Sequence, residues 1–469
     1  MLGLVSFPLL TRSLSVEEYG LLGLVTATVT IFVSFAKLGL QSSMLRFYSE
    51  AKTQGSEALK HLLNNVAGAV CVLAMIGAVL WLLYAHFVVP LINDSALPYK
   101  RLFLIGTALV PIKIAHSLLA NLLQADQQSG ILSTITVSEK FFRLVCLVAI
   151  VITIGLSSER ALILIIISEL IFLVVIFYHC RHYLTEISPR LQYATLAPLV
   201  AFGAPAMMGE LTAVLLETGD RYVIQAYLGG EPLGQYAAAV NICMYLEWVL
   251  ILALQSAIVP HYVKLYEESG REKTIEFLNG AFNLYVAVAV GVFAVFCVAA
   301  PQLVLFLAGE KYRDGLIVIP WFAAGYMLVG AISIAAAGVF IDKRTVLLVK
   351  WTVIAFVINM MLNLVAIPRY GLIAAAMATF IAMCIRSIGV YYDASKTLPV
   401  AVPWRTTAQA LICAIPAYYL GSLVDTNITI FNLLFGSAVA GIVYVLLMLS
   451  LNMTLRVWVF DKLHSFRSK

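Results

Sequence analysis

Long apolar runs alternate with short polar interruptions from one end of the chain to the other. They lie near residues 1–12, 20–44, 62–92, 102–124, 131–156, 161–179, 195–218, 235–258, 278–308, 315–340, 346–367, 371–392, 407–424 and 430–452. Most hold about 18 to 28 residues, and a helix of roughly 20 matches the hydrocarbon thickness of a bilayer. The breaks carry turn chemistry: Glu17-Glu18 with Gly20, Asn93-Asp94, Ser157-Ser158-Glu159-Arg160, Gly229-Gly230 and Pro368-Arg369. The pattern predicts an all-α membrane protein of about fourteen transmembrane helices, with loops too short to fold into soluble domains.

The pattern also repeats. At an offset of 214 residues Gly20 falls on Gly234, Leu40-Gln41-Ser42 on Leu254-Gln255-Ser256, Tyr48 on Tyr262 and Asn65 on Asn279. Duplicated bundles of this kind are a transporter signature. The expected organisation is an N-lobe of helices 1–6 (residues 1–190), a C-lobe of helices 7–12 (191–400), and two additional helices with a cytoplasmic tail (401–469). Under the same repeat, the counterpart of residues 195–214 would precede Met1, so the first helix reads as truncated, through a late start codon or a shortened chain. About a dozen residues at 1.5 Å each reach only about 18 Å. No basic region precedes this run and no small-residue cleavage site follows it, which argues against a signal peptide.

Composition agrees. Apolar residues make up 62% and charged residues 12%, against roughly 25% charged in ordinary soluble domains. The seven cysteines form no CxxC pair and read as packing residues. Lys and Arg are unevenly shared: the even-numbered connections and the C-terminus hold twenty, including Lys140 and Arg143, and the odd connections eight. This predicts a cytoplasmic C-terminus, and topology alone then accounts for the net charge of +5 without a nucleic-acid partner.

Lys37 and Lys113 fall inside predicted spans. An ionisable group at mid-membrane costs roughly 2.5–3.5 kcal/mol even on the lenient insertion scale, so each is expected to be paired or to face water. At 100° per residue, Thr26, Thr30, Lys37 and Gln41 share an arc of roughly 60° on the second helix. Lys113, Ser117 and Gln124 share a similar one on the fourth, with His116 beside it. On the seventh helix Glu210, Glu217 and Arg221 fall within roughly 40°, downstream of Pro205, where a kink is expected. Glu247 adds a carboxylate to the eighth. Such stripes suit a wet cleft between two lobes. The alternative is that they pair to hold helices together: Glu217 and Arg221 are four apart and suit a bridge within one helix, and His116 suits a packing role. Asn359 and Asn363 suit hydrogen bonds across helices.

The run Asn359-x3-Asn363-x3-Ile367-Pro368-Arg369-Tyr370-Gly371-Leu372-x2-Ala375-Ala376-x-Ala378-Thr379 stands beside Leu14-Ser15-x2-Glu18-Tyr19-Gly20 and Gly219-Asp220-Arg221-Tyr222-x6-Gly229. Together they resemble the polysaccharide transporter branch of the multidrug/oligosaccharidyl-lipid/polysaccharide exporter superfamily, the Wzx-type flippases. The resemblance implies alternating access and movement of an undecaprenyl-diphosphate-linked oligosaccharide across the bacterial inner membrane, for O-antigen and lipopolysaccharide, capsule or exopolysaccharide biosynthesis. It also implies contacts with polysaccharide polymerase machinery. Cationic cavity residues of the family are thought to hold the diphosphate; the candidates here are Lys37, Lys113 and Arg221, and any cation at the front of the first helix is missing. Glu210, Glu217 and Glu247 are candidates for coupling H⁺ or Na⁺, and Thr26, Thr30, Gln41, His116, Ser117 and Gln124 for cavity lining. No catalytic residue, metal site or cofactor is expected. One rival is a cation-coupled drug antiporter of the same superfamily, which favours carboxylates and aromatics. The other is a membrane glycan ligase or polymerase, which needs catalytic groups on a sizeable outward loop, and none is visible.

Overall fold

In the computed structural model, residues 2–89, 97–184, 188–247, 253–424, 429–452 and 456 are described. The Asn93-Asp94 turn and the basic tail with Lys462, Arg467 and Lys469 lie outside them. The described residues are helical and form two compact units, Met1–Gly234 and Gln235–Lys469. Among the described residues, ten helices are long and apolar enough to cross a membrane, and large apolar side chains such as Met75, Val79 and Leu83 are exposed along them, as a lipid-facing surface requires.

Unit 1 contains α1 (Leu2–Ser13), α2 (Val16–Ala36), α3 (Leu40–Gln54), α4 (Ser56–Leu83), α5 (Leu97–Gly106), α6 (Leu109–Ala125), α7 (Ser129–Thr153), α8 (Ser158–Leu184) and α9 (Tyr193–Leu228). A capping box starts α2: the Ser15 hydroxyl accepts from the Glu18 amide and the Glu18 carboxylate from the Ser15 amide, both at 3.1 Å, which satisfies two orphan donors. The helix packs antiparallel to α9, where Thr28 and Tyr222 share a hydrogen bond of 2.7 Å and the Ser43 hydroxyl of α3 donates to the Leu199 carbonyl. The sequence places residues 195–218 in the second lobe by homology of the repeat; by packing, α9 lies against α2 and α3.

Expected as one helix, residues 20–44 form two, because Leu38 (φ 47°) and Gly39 (φ 73°) are left-handed. That conformation costs roughly 1–2 kcal/mol at Leu38. The break is held from outside: a Cβ on Gly39 would collide with the Gly203 backbone of α9, and one on Gly203 with Gly39. The predicted span 102–124 is likewise divided between α5 and α6.

Unit 2 contains most of α10 (Gly230–Glu247), then α11 (Ala253–Leu307), α12 (Ile319–Ala335), α13 (Ala337–Ile341), α14 (Val346–Tyr370), α15 (Leu372–Ser395), α16 (Trp404–Ser422) and α17 (Thr429–Leu451). Gly270 (φ 78°) divides α11 into two helices. The two additional helices, α16 and α17, pack on α11: Gly421 and Gly436 let them approach, and the buried Tyr444 lies over Gly291 and donates to the Ala287 carbonyl. Small residues of this kind permit close van der Waals packing between membrane helices.

The repeat has a structural meaning. Asn65 Oδ1 accepts from the Gln192 amide at 2.7 Å in unit 1, and its counterpart Asn279 accepts from the Ala401 amide at 2.7 Å in unit 2. Tyr48 and Tyr262 are both 1% exposed. Asn359 donates to Thr379 at 3.2 Å and Asn363 to Asn359 at 3.0 Å, fully buried between α14 and α15. That part of the quoted motif therefore joins helices.

Candidate functional site

Among the described residues, two charge centres form inside unit 1. The first forms at the α2–α3 break. Lys37 follows the last turn of α2 and donates to Gln41 at 2.6 Å and to Glu210 of α9 at 3.1 Å. Ser34 donates to the same carboxylate at 2.9 Å, and Gln41 to its other oxygen. The Lys37 and Glu210 side chains are 14% and 31% exposed. Predicted as part of one continuous stripe, Lys37 and Gln41 instead belong to successive helices and meet because the chain turns between them. A small cleft opens here, lined by Lys37, Gln41, Ser117 and Asn121 with an apolar wall that includes Val70 and Leu73. Polar residues of the second and fourth predicted helices thus share one wall.

The second centre lies between α6, α7 and α8. Glu169, 6% exposed in its side chain, accepts from Lys113 at 2.6 Å, from His116 at 3.0 Å and from Arg143 at 3.4 Å. Arg143 also pairs with buried Glu139, one turn away on α7, and reaches Ser168 at 2.9 Å. Sequence reasoning missed Glu139, Arg143 and Glu169 and assigned Arg143 to a cytoplasmic connection, whereas it sits well inside α7. The signal was present: Glu139 and Arg143 stand one turn apart in an apolar span, and Glu169 stands alone in another. Coordinates of His116, Glu139 and Glu169 bring one ligand-type atom of each within 4.8 Å of the others. Both carboxylates already neutralise Lys113 and Arg143, so a divalent ion would leave a large uncompensated positive charge.

The remaining candidates lie apart from these centres. Arg221 is eleven residues beyond Glu210 on α9, roughly 16 Å along the helix, and is half-buried with an Nε that has no hydrogen-bond acceptor among the described residues. The three basic residues therefore do not meet at one point in this conformation. Glu217 is exposed on α9, Thr30 on α2 and Gln124 on α6; Thr26 is half-buried and bonds back to the Leu22 carbonyl at 2.9 Å; Glu247 ends α10 in unit 2.

At the polar ends of α3 and α6, outside the spans, Asp126 accepts from Lys52 at 2.6 Å, Tyr48 at 2.9 Å, Gln128 at 2.7 Å and Tyr183. Burial alone would raise its pKa, but these donors, Lys52 foremost, hold the carboxyl well below the usual range. Burial, and then the Asp126 carboxylate, push the Tyr48 phenol up.

Comparison with known proteins places this geometry. Residues 1–266 match the family model described as polysaccharide biosynthesis protein. No curated protein matches the chain. Among solved structures, the lipid II flippase MurJ in an inward closed conformation superposes with a TM-score of 0.79 at 14% identity, covering 97% of each chain. An outward-facing multidrug resistance MATE transporter of the MOP superfamily gives 0.52 at 16% identity, over 85% of this chain and 95% of its own. The eukaryotic MATE transporter AtDTX14 gives 0.53 at 13%, over 88% and 96%. The fold is of flippase and transporter type, and the chain belongs to the polysaccharide biosynthesis protein family.

Proposed function

We propose that the chain is a lipid-linked oligosaccharide flippase that moves an undecaprenyl-diphosphate glycan from the cytoplasmic to the outer leaflet of a bacterial inner membrane by alternating access, with its C-terminus in the cytoplasm. The observation that carries this reading is the Lys37 centre: a cation held at a helix break beside a cleft, in a family of polysaccharide biosynthesis. Broken helices are where membrane transporters present charge and free backbone groups to substrates. A diphosphate diester carries about two negative charges and suits charge-assisted hydrogen bonds from lysine in a medium of low dielectric.

In this conformation Glu210 fills that role. Its carboxylate takes the bonds of Lys37, Ser34 and Gln41 that a phosphate would take, so substrate entry exchanges one anion for another and loosens α9 from the α2–α3 break. Lys113 is the second anion ligand, reached by a similar exchange on Glu169. Arg221 serves the headgroup in another conformation. In this reading Glu210 acts first as a counter-ion, and coupling to H⁺ or Na⁺ through Glu210, Glu217 or Glu247 is secondary.

Binding discriminates this from drug antiport. Purified protein should bind a short-chain prenyl-diphosphoryl oligosaccharide, and Lys37→Gln should remove about 1.5–3 kcal/mol, roughly a ten- to hundred-fold loss of affinity. Preferential binding of a lipophilic organic cation, unaffected by Lys37→Gln, would establish the antiporter instead.

A further inference from the structure

The charge centre between α6, α7 and α8 has an internal control in the chain's own repeat. The turns that flank these helices carry left-handed residues 216 apart, Gln127 with Lys343 and Gly155 with Gly371, and at that offset Lys113, His116, Glu139, Arg143 and Glu169 fall on Val329, Ile332, Ala355, Asn359 and Ile385. Those residues belong to α12, α14 and α15, in which α15 packs against both α12 and α14. The second copy therefore builds the same helix arrangement with no ionisable side chain at any of the five positions. Packing does not demand the charges, and burying them carries a desolvation penalty that apolar residues avoid.

The charges of the centre are balanced in one particular way. Lys113 and Arg143 are offset by Glu139 and Glu169, so the group is neutral when the imidazole of His116 is neutral, with Nδ1–H donating to Glu169 at 3.0 Å. The charged groups facing His116 are Glu169 of α8, Glu139 and Arg143 of α7 and Lys113 of its own helix. Lys37 of the α2–α3 break stands with its counter-ion Glu210 of α9 across the cleft wall formed by Ile114 and Ser117. Histidine is the one side chain whose ordinary titration falls between about pH 5 and 8, and the His116 side chain is 16% exposed. If an anion draws Lys113 away from Glu169, the remaining four groups carry one net negative charge.

We infer that His116 is a proton-binding site linked to anion capture: when Lys113 leaves Glu169 for an anionic headgroup, a proton from solvent settles on His116 Nε2 and the imidazolium takes over as partner of Glu169. No bond other than N–H forms. The inference rests on the proposal that Lys113 receives the diphosphate, and it deepens that proposal by making capture dependent on pH. By linkage, capture tightens as pH falls through the titration of the imidazole.

The test uses the full-length protein in detergent and a short-chain prenyl-diphosphoryl sugar, whose diester has no titrating group near neutral pH. Calorimetric titrations at pH 7 in two buffers of different ionisation enthalpy count the protons taken up per ligand bound. The wild type should take up protons on binding, at most one per ligand. His116→Gln and Glu169→Gln, each confirmed as monodisperse with wild-type helical content, should take up none whatever their affinities. Binding by the wild type without proton uptake, or undiminished uptake in His116→Gln, overturns the inference and leaves the anion-binding proposal standing. Failure of the wild type to bind overturns both.

Discussion

Glu169→Met replaces the central carboxylate of the charge centre between α6, α7 and α8 with an apolar side chain of similar length. Glu169 is 6% exposed and accepts from Lys113, His116 and Arg143. At an effective dielectric constant of 20, a unit-charge pair at 2.6 Å is worth about 6 kcal/mol and one at 3.4 Å about 5 kcal/mol, before desolvation. Most of this is cancelled by the cost of burying the ions, but removing one partner leaves Lys113 and Arg143 sharing only Glu139, at a net cost of about 3–5 kcal/mol. For a unit of this size that is a fall of roughly 6–20 °C in unfolding midpoint, taking about 2–4 °C per kcal/mol. Replacing all four permanent charges together (K113M/E139V/R143V/E169M) removes the imbalance and should restore or exceed the wild-type midpoint. The assay is thermal unfolding in detergent, at a fixed scan rate because such transitions are often irreversible. A quadruple variant less stable than Glu169→Met would show that the charges hold the helices together, and would refute the reasoning.

Gly39→Ala should be severe, above about 3 kcal/mol, because its Cβ meets the Gly203 backbone and its φ is left-handed; near-wild-type yield and midpoint would contradict the account of the break. Asn65→Ala and Asn279→Ala should each cost about 1–2 kcal/mol and open the segments near Gln192 and Ala401 to protease in their own unit only. Asp126→Asn should cost about 1–2 kcal/mol at pH 7. Because the native carboxyl is depressed, its stabilisation is complete above about pH 4 and lost as pH falls further, so wild type and variant should converge only in strong acid.

Hydropathy made the membrane class and the duplication legible, since span length and loop chemistry depend on local sequence. The Asn65 and Asn279 pairing was visible as identity and acquired a reason only when both proved to pin a loop. Helix wheels found Lys37, Gln41, Lys113 and Ser117 as polar residues in apolar spans, but assumed an unbroken helix through Leu38 and Gly39. What breaks it is Gly203, more than 160 residues away, and no local pattern contains that contact. Glu139 and Glu169 were missed for a related reason. Cations suited to phosphate stand out in the sequence by themselves, while the carboxylates that occupy them come from other helices.

Transport itself tests the central claim most directly. In liposomes containing the purified protein and a lipid-linked oligosaccharide, the account predicts that an impermeant probe reaches the glycan from the opposite leaflet much faster than in protein-free vesicles. Lys37→Gln should slow this by tenfold or more. Equal rates with and without correctly folded protein would contradict it.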